Sequence, residues 1–355
     1  MTAGRVVVRV PATSANLGPG FDTLGLALGL YDEVEAELFE PSGGPGSRDV
    51  VIEVEGEGAG ELDGGEGHLI VTTMRATFGR MGFPQPRGIR LRCLNRIPHA
   101  RGLGSSSAAI CAGILAARAL AAAGPPRDPA SDHDAPLPGD VPAVPSGGVP
   151  FGGLSSGGVP SGGSAGGAAG LTDDDVFALA TEIEGHPDNV APCLAGGLTV
   201  AWTDGAGVPH LVRLLPHPDV RPVVLIPGFR LSTEIARGLL PKDVPHADAA
   251  ANAGRAALLI AALTARPEPE LLLAATEDRL HQGYRAPAMP HTADLVRRLR
   301  EAGVAAVVSG AGPTILAFST PNTQDSIAAE VGNDWHIQPL DVETRGARVV
   351  SPETR

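Results

Sequence analysis

Residues 98–109 read Pro98-His99-Ala100-Arg101-Gly102-Leu103-Gly104-Ser105-Ser106-Ser107-Ala108-Ala109, a glycine–serine turn running straight into an alanine-rich helix. This joint restricts the fold more than any other stretch. Glycines let the chain approach a ligand closely, and the first N–H groups of a helix have no internal partner. Together with the positive end of the helix dipole, they make the turn a ready site for a phosphate. Good helix formers continue through Ala119, and Gly124-Pro125 stops the run. The plain alternative is a turn that only caps a buried helix.

The loop is not a Walker A loop, which needs Gly-Lys-Ser/Thr, because Lys242 is the only lysine in the chain. Nor is it the dinucleotide fingerprint, since the third glycine after Gly102 and Gly104 is missing. Two further blocks flank it. Pro11-Ala12-Thr13-Ser14-Ala15-Asn16-Leu17-Gly18-Pro19-Gly20-Phe21-Asp22 follows the strand-like run Val6–Val10. Ser309-Gly310-Ala311-Gly312-Pro313-Thr314 lies between the apolar runs Val304–Val308 and Ile315–Phe318. A fourth block, Glu184-Gly185-His186-Pro187-Asp188-Asn189-Val190-Ala191-Pro192, follows the phosphate-loop helix.

These four ordered blocks resemble those of the GHMP small-molecule kinases, and the first and fourth look like the homoserine branch. The resemblance covers nearly the whole chain except residues 125–170. It implies an α+β, two-lobed GHMP kinase fold, with a ribosomal S5 domain 2-like N-terminal lobe and a ferredoxin-like C-terminal lobe. Residues 1–205 would form the ATP-binding lobe and residues 206–355 the C-terminal lobe. The implied reaction is ATP-dependent phosphorylation of the side-chain hydroxyl of L-homoserine, a step toward threonine.

Phosphoryl transfer needs charge neutralisation on ATP, an in-line hydroxyl and exclusion of water. Residues Pro98 to Ala108 would bind ATP, the backbone N–H groups from Gly102 to Ala108 cradling the triphosphate, with Gly310 and Gly312 of the third block beside them. Ser105 or Ser106 could offer a hydroxyl to Mg²⁺, which prefers oxygen ligands. The resemblance implies a carboxylate from the helix before His186 as a further ligand, with Glu182 preferred and Glu184 behind it. It also matches Arg237 and Arg285 to positions that grip the substrate carboxylate, a task suited to the planar guanidinium fork. Thr233, one turn before Arg237, would add a hydroxyl. Asp22 and His186 match positions near the ammonium, and Asn16 and Asn189 positions that hold the reacting hydroxyl. Asp188 is the one carboxylate in a motif that could serve as general base. A loose transition state needs little early deprotonation, so Asn16 and Asn189 could suffice by orienting the oxygen for direct in-line transfer. Adenine recognition is implied on the first lobe, with residues 56–75 as the candidate stretch. Two other readings stay open: a relative acting on another alcohol, and a nucleotide-binding sensor without activity.

A net charge of −13 argues against a nucleic-acid or anionic-membrane partner, so neither is expected. Cys93, Cys111 and Cys193 give neither a disulfide framework nor a zinc pattern. They suggest buried thiols in a reducing cytoplasm. Met1–Arg5 leads directly into a strand with no signal-type run. The helix after Ser107 reads as too weakly apolar to span a membrane, being interrupted by Arg118. A homodimer is expected from the resemblance alone.

Strands are expected at Tyr31–Leu38, Asp49–Glu55, Gly88–Leu94, Ala195–Trp202 and Val223–Ile226. Helices are expected at His68–Met81, from Thr172, at Thr233–Leu240, Ala249–Ala265, Glu268–Leu280 and Thr292–Ala302. Residues 125–170 are rich in Gly, Pro and Ser and contain a short tandem repeat. Such composition cannot offset its ordering entropy, so a disordered surface insertion is expected, with a mobile lid as the functional alternative.

Overall fold

The computed structural model describes residues 4–42, 49–124, 170–319 and 324–350. Apart from Gly170, the insertion expected at 125–170 lies outside the described residues. The first sheet contains β1 (Arg5–Ala15), β2 (Leu24–Phe39), β3 (Asp49–Gly56), β4 (Gly88–Asn95), β5 (Leu198–Thr203), β6 (Pro209–Leu214) and β11 (Arg348–Val350). Its order is β11-β1-β2-β4-β3, with β5 pairing to the start of β2 and β6 to β5. Every pairing is antiparallel except β3–β4.

Local sequence explains these elements. From Asp32 to Phe39, β2 alternates buried and partly exposed residues, the period that puts one face of a strand on a core. A register shift between Pro11 and Ala12 bends β1 before its last residues enter the site. Helix α1 (Leu69–Arg80) buries Ile70, Val71, Met74 and Phe78, each contributing about 2 kcal/mol by leaving water. Helix α2 (Ser105–Ala123) is buried along most of its length between the sheet, α1 and α3 (Asp173–Glu184). By length and composition α2 is apolar enough to cross a membrane, which corrects the reading that it is too weakly apolar. Ala108, Ile110, Ala112, Ile114, Ala116 and Ala117 pack in the protein core. The cap expected at Thr172 is a full capping box, with Thr172 and Asp175 each bonding the other's backbone N–H.

The second sheet is antiparallel, in the order β10-β7-β9-β8: β7 (Arg221–Pro227), β8 (Ala305–Val308), β9 (Ile315–Ser319) and β10 (Trp335–Pro339). Helices lie between β7 and β8, and α10 (Gln324–Glu330) lies between β9 and β10, giving a ferredoxin-like arrangement. Helix α9 (Pro290–Glu301) covers this sheet with Leu295 and Leu299.

Two boundaries in particular differ from expectation. The division after residue 205 falls inside the β5–β6 hairpin, so the first sheet holds the chain to Leu214 and recovers it at Arg348. The helix expected over Glu268–Leu280 ends early, as α7 (Pro269–Ala275). There Arg300 takes the Leu273 carbonyl at 2.8 Å and the Thr276 hydroxyl at 2.8 Å. The Asp278 carboxylate then accepts the N–H groups of Leu280, His281 and Gln282, starting the short helix α8 (Gln282–Arg285). Pro187–Ala195 forms helix α4, with Pro187 at its first position, where no N–H is needed, and Pro192 in its interior.

Candidate active site

Three of the four sequence blocks meet in one place. The Thr13 N–H donates to the Leu103 carbonyl at 3.1 Å, and the Gly310 N–H to the Ala15 carbonyl at 3.0 Å. The Thr314 N–H donates to the Arg101 carbonyl, and the Ser309 hydroxyl contacts both Ser14 Oγ at 2.8 Å and the Gly102 carbonyl at 2.6 Å. Arg101 ties the loop's start to the second sheet through the Pro227 and Gly228 carbonyls. The Ala100 carbonyl accepts from Leu231 N–H. Leu103 is fully buried and anchors the turn. Ser14 and Ser309 were missed as braces, although both lie inside motifs.

Helix α2 begins at Ser105 behind Gly104, which is left-handed and offers no side-chain cap. The leading N–H groups of α2 thus lack both an intrahelical carbonyl and a capping side chain. Facing them, Glu184 accepts from Ser106 Oγ and Ser107 Oγ, both at 2.8 Å. Glu182, preferred as the metal ligand, points elsewhere: its carboxylate pairs with Arg80 at 2.6 Å on the surface. The reason is helical geometry, because residues two apart on α3 face different directions. Among the described residues no group of three or more His, Cys, Asp or Glu side chains could hold a metal ion.

Beside this helix start lies a cavity of about 310 Å³ whose lining includes Asp32, His68, Asn95, His99, Ser105 and Ser106. His68 Nδ1 caps α1 by accepting from Ile70 N–H, while its buried Nε2 has no partner among the described residues. His99 Nε2 is likewise buried and unpartnered. Burial lowers the pKa of both rings and favours their neutral forms. Burial also pushes Asp32 up to about 6, against the opposing hydrogen bonds from the Ile97 and Arg96 N–H groups.

The fourth block adds α4. Asn189 Oδ1 accepts from the Thr13 hydroxyl at 2.8 Å, next to Gly104. Asp188 is buried and held 2.6 Å from His186 Nδ1. Burial alone would lower the His186 pKa, but the hydrogen bond and charge of Asp188, with Glu184, raise it overall. The fold therefore favours the protonated ring. Its stabilising effect is complete below the unfolded value of 6.5 and fades as pH rises through the higher folded value. The melting-temperature gap between this protein and His186→Gln is expected to narrow as pH rises above 6.5. A gap independent of pH would contradict this.

Across the loops, Asn16 ties two of them together. Its Nδ2 donates to the Gly310 carbonyl at 3.0 Å and its Oδ1 accepts from the Asp22 N–H at 2.9 Å. Arg237, on α5 (Thr233–Gly238), makes two hydrogen bonds to Asp22, at 2.8 and 3.2 Å. Thr233 lies exposed one turn before it. Arg285 is only 1% exposed. Its partners are the Ala236 and Gly310 carbonyls and His281 Nδ1, at 3.2–3.3 Å. It belongs to none of the ion pairs among the described residues. Burial and the neighbouring Arg237 charge both lower its pKa. The Phe21 ring lies 5.4 Å from the Arg285 guanidinium and 6.0 Å from that of Arg237. His281, stacked on Phe21, donates from Nε2 to the Gly18 carbonyl, leaving Nδ1 to accept from Arg285. Nothing in its sequence surroundings marks His281.

The "GHMP kinases N terminal domain" model matches residues 68–134, and the "GHMP kinases C terminal" model matches residues 259–337. A homoserine kinase of Streptomyces coelicolor is 49% identical over 348 residues, covering 98% of this chain and 95% of its own length. One of Clavibacter michiganensis is 46% identical over 353 residues, covering 98% and 95%. In fold, the chain is similar to the crystal structure of homoserine kinase from Cytophaga hutchinsonii, with a TM-score of 0.70 at 24% identity, covering 98% and 97%.

Proposed function

Because this chain belongs to the homoserine kinases of the GHMP family, we propose that its three joined loops hold ATP and L-homoserine for direct in-line phosphoryl transfer. The known activity of that family is ATP-dependent phosphorylation of homoserine. One observation carries the acceptor assignment: Arg285 is a buried cation paired with no carboxylate among the described residues. Buried charges are stable when paired, so the site calls for an anionic group on the ligand. Asp22 alongside offers the complementary charge for an ammonium. Asn16 keeps one amide N–H beyond its bond to Gly310, and Asn189 keeps its amide donors. These are the groups left to orient the hydroxyl.

The leading N–H groups of α2, with Gly102 and Gly104, would take the phosphates. The cavity beside them suits the base, with the unpartnered ring nitrogens of His68 and His99 available to its heteroatoms. Asp188 is committed to His186. It supports the start of α4, and correct placement of the hydroxyl does the work a base would otherwise do.

The donor set fits Mg²⁺: one carboxylate, Glu184, and the hydroxyls of Ser106 and Ser107 at a phosphate-binding helix start. When bound, the ion would neutralise phosphate charge. Glu184→Gln is expected to cut kcat by about a hundredfold and raise the Mg²⁺ concentration needed for half-maximal rate. Glu182→Gln, which loses only a surface ion pair, should change either by less than about twofold. Equal effects of the two changes would refute the assignment to Glu184.

An ADP-release assay with homoserine, serine, threonine and mevalonate tests the whole reading. Homoserine should be turned over and the others at least about tenfold less efficiently. ATP binding without turnover of any alcohol would favour a sensor instead.

A further inference from the structure

The two groups assigned to the opposite charges of the amino acid hold each other. Arg237 Nη2 lies 2.8 Å from Asp22 Oδ1, and Arg237 Nη1 lies 3.2 Å from Asp22 Oδ2. This is the parallel, two-bond geometry that gives guanidinium–carboxylate pairs their strength. Both side chains are half-buried. The pair is also built in, because Asp22 takes a left-handed backbone conformation (φ 52°) with its N–H bonded to Asn16 Oδ1. Asn16 in turn reaches the same Gly310 carbonyl that accepts from Arg285. Phe21 lies close to both guanidiniums.

We propose that the Asp22–Arg237 ion pair is a specificity latch, which opens for ligands that carry both an ammonium and a carboxylate and resists ligands carrying one alone. The proposal rests on the homoserine site described above. A zwitterion replaces the internal pair with two new ones, ammonium to Asp22 and carboxylate to Arg237 and Arg285, so no charge is stranded. An acid without the amine must take Arg237 from Asp22 and leave that carboxylate unpaired, or leave the latch shut and bind Arg285 alone. An amine without the acid takes Asp22 and leaves two neighbouring guanidiniums facing each other. Selection therefore comes from the penalty on an unpaired charge as well as from contacts made.

The latch predicts a gain of activity. 4-Hydroxybutanoate is homoserine without its ammonium, and 3-aminopropan-1-ol is homoserine without its carboxylate. Asp22→Asn keeps the side-chain shape and removes the charge that would be stranded. Its kcat/KM for homoserine should fall, while that for 4-hydroxybutanoate should rise about five- to tenfold above the unaltered enzyme. Arg237→Met is the mirror test, and should raise kcat/KM for 3-aminopropan-1-ol. It also covers the case in which Asp22→Asn does not fold. If each folded variant uses its matching analogue no better than the unaltered enzyme, the latch is refuted. Turnover of homoserine by the unaltered enzyme would still support the broader reading, whereas its absence would remove both.

Discussion

Arg285→Ala is expected to raise KM for homoserine about a hundredfold or more while leaving KM for ATP within about threefold. Arg285 is 1% exposed and belongs to no ion pair of the described residues, so a ligand carboxylate would give its guanidinium a direct counter-charge. Losing one side of such a desolvated charge pair costs about 3 kcal/mol, and each 1.36 kcal/mol is tenfold. Arg285→Lys should restore little, since a compact ammonium cannot span the Ala236 carbonyl, the Gly310 carbonyl and a carboxylate as a planar fork does. Steady-state kinetics with each substrate varied, alongside melting temperatures, separates this role from a structural one. A large drop in melting temperature with both KM values unchanged would show that Arg285 only fills the core.

Gly102→Ala should lower kcat/KM for ATP by about a hundredfold. At φ 76° the backbone is left-handed, which alone costs an alanine about 1 kcal/mol. The added Cβ would stand 2.3 Å from the Ser309 carbonyl oxygen and about 3 Å from Gly312 backbone atoms. No side chain can swing away to relieve that contact. The phosphate loop must part from the Ser309–Thr314 turn, straining the 2.6 Å bond from Ser309 Oγ to the Gly102 carbonyl. Such overpacking adds roughly 1–3 kcal/mol. Gly82→Ala is the control, with φ 65° and nothing within 4 Å, so it suffers only the backbone strain. It should lose about 1 kcal/mol of stability and keep its kinetics. If the two variants behave alike, the junction of the loops is not what holds the phosphate site.

Much of this was legible in the chain itself. The turn at 98–109, the strand before the first block, the capped helix at Thr172 and the glycine turn at 309–314 are local features. Each is set by propensity, capping or backbone sterics acting over a few residues, so each can be read in order along the sequence. Assembly decided the rest. Glu184 rather than Glu182 meets the serines because α3 packs on α2 in one rotation, and two residues on a helix differ by about 200°. His281 enters the site only because α7 stops at Ala275 and the Asp278 carboxylate gathers the next N–H groups, turning the chain toward Gly18. The pairing of Asp22 with Arg237 joins residues 215 positions apart. Local rules carry no information across such a distance. Which charges end up facing each other depends on how two packed sheets bring their loops together.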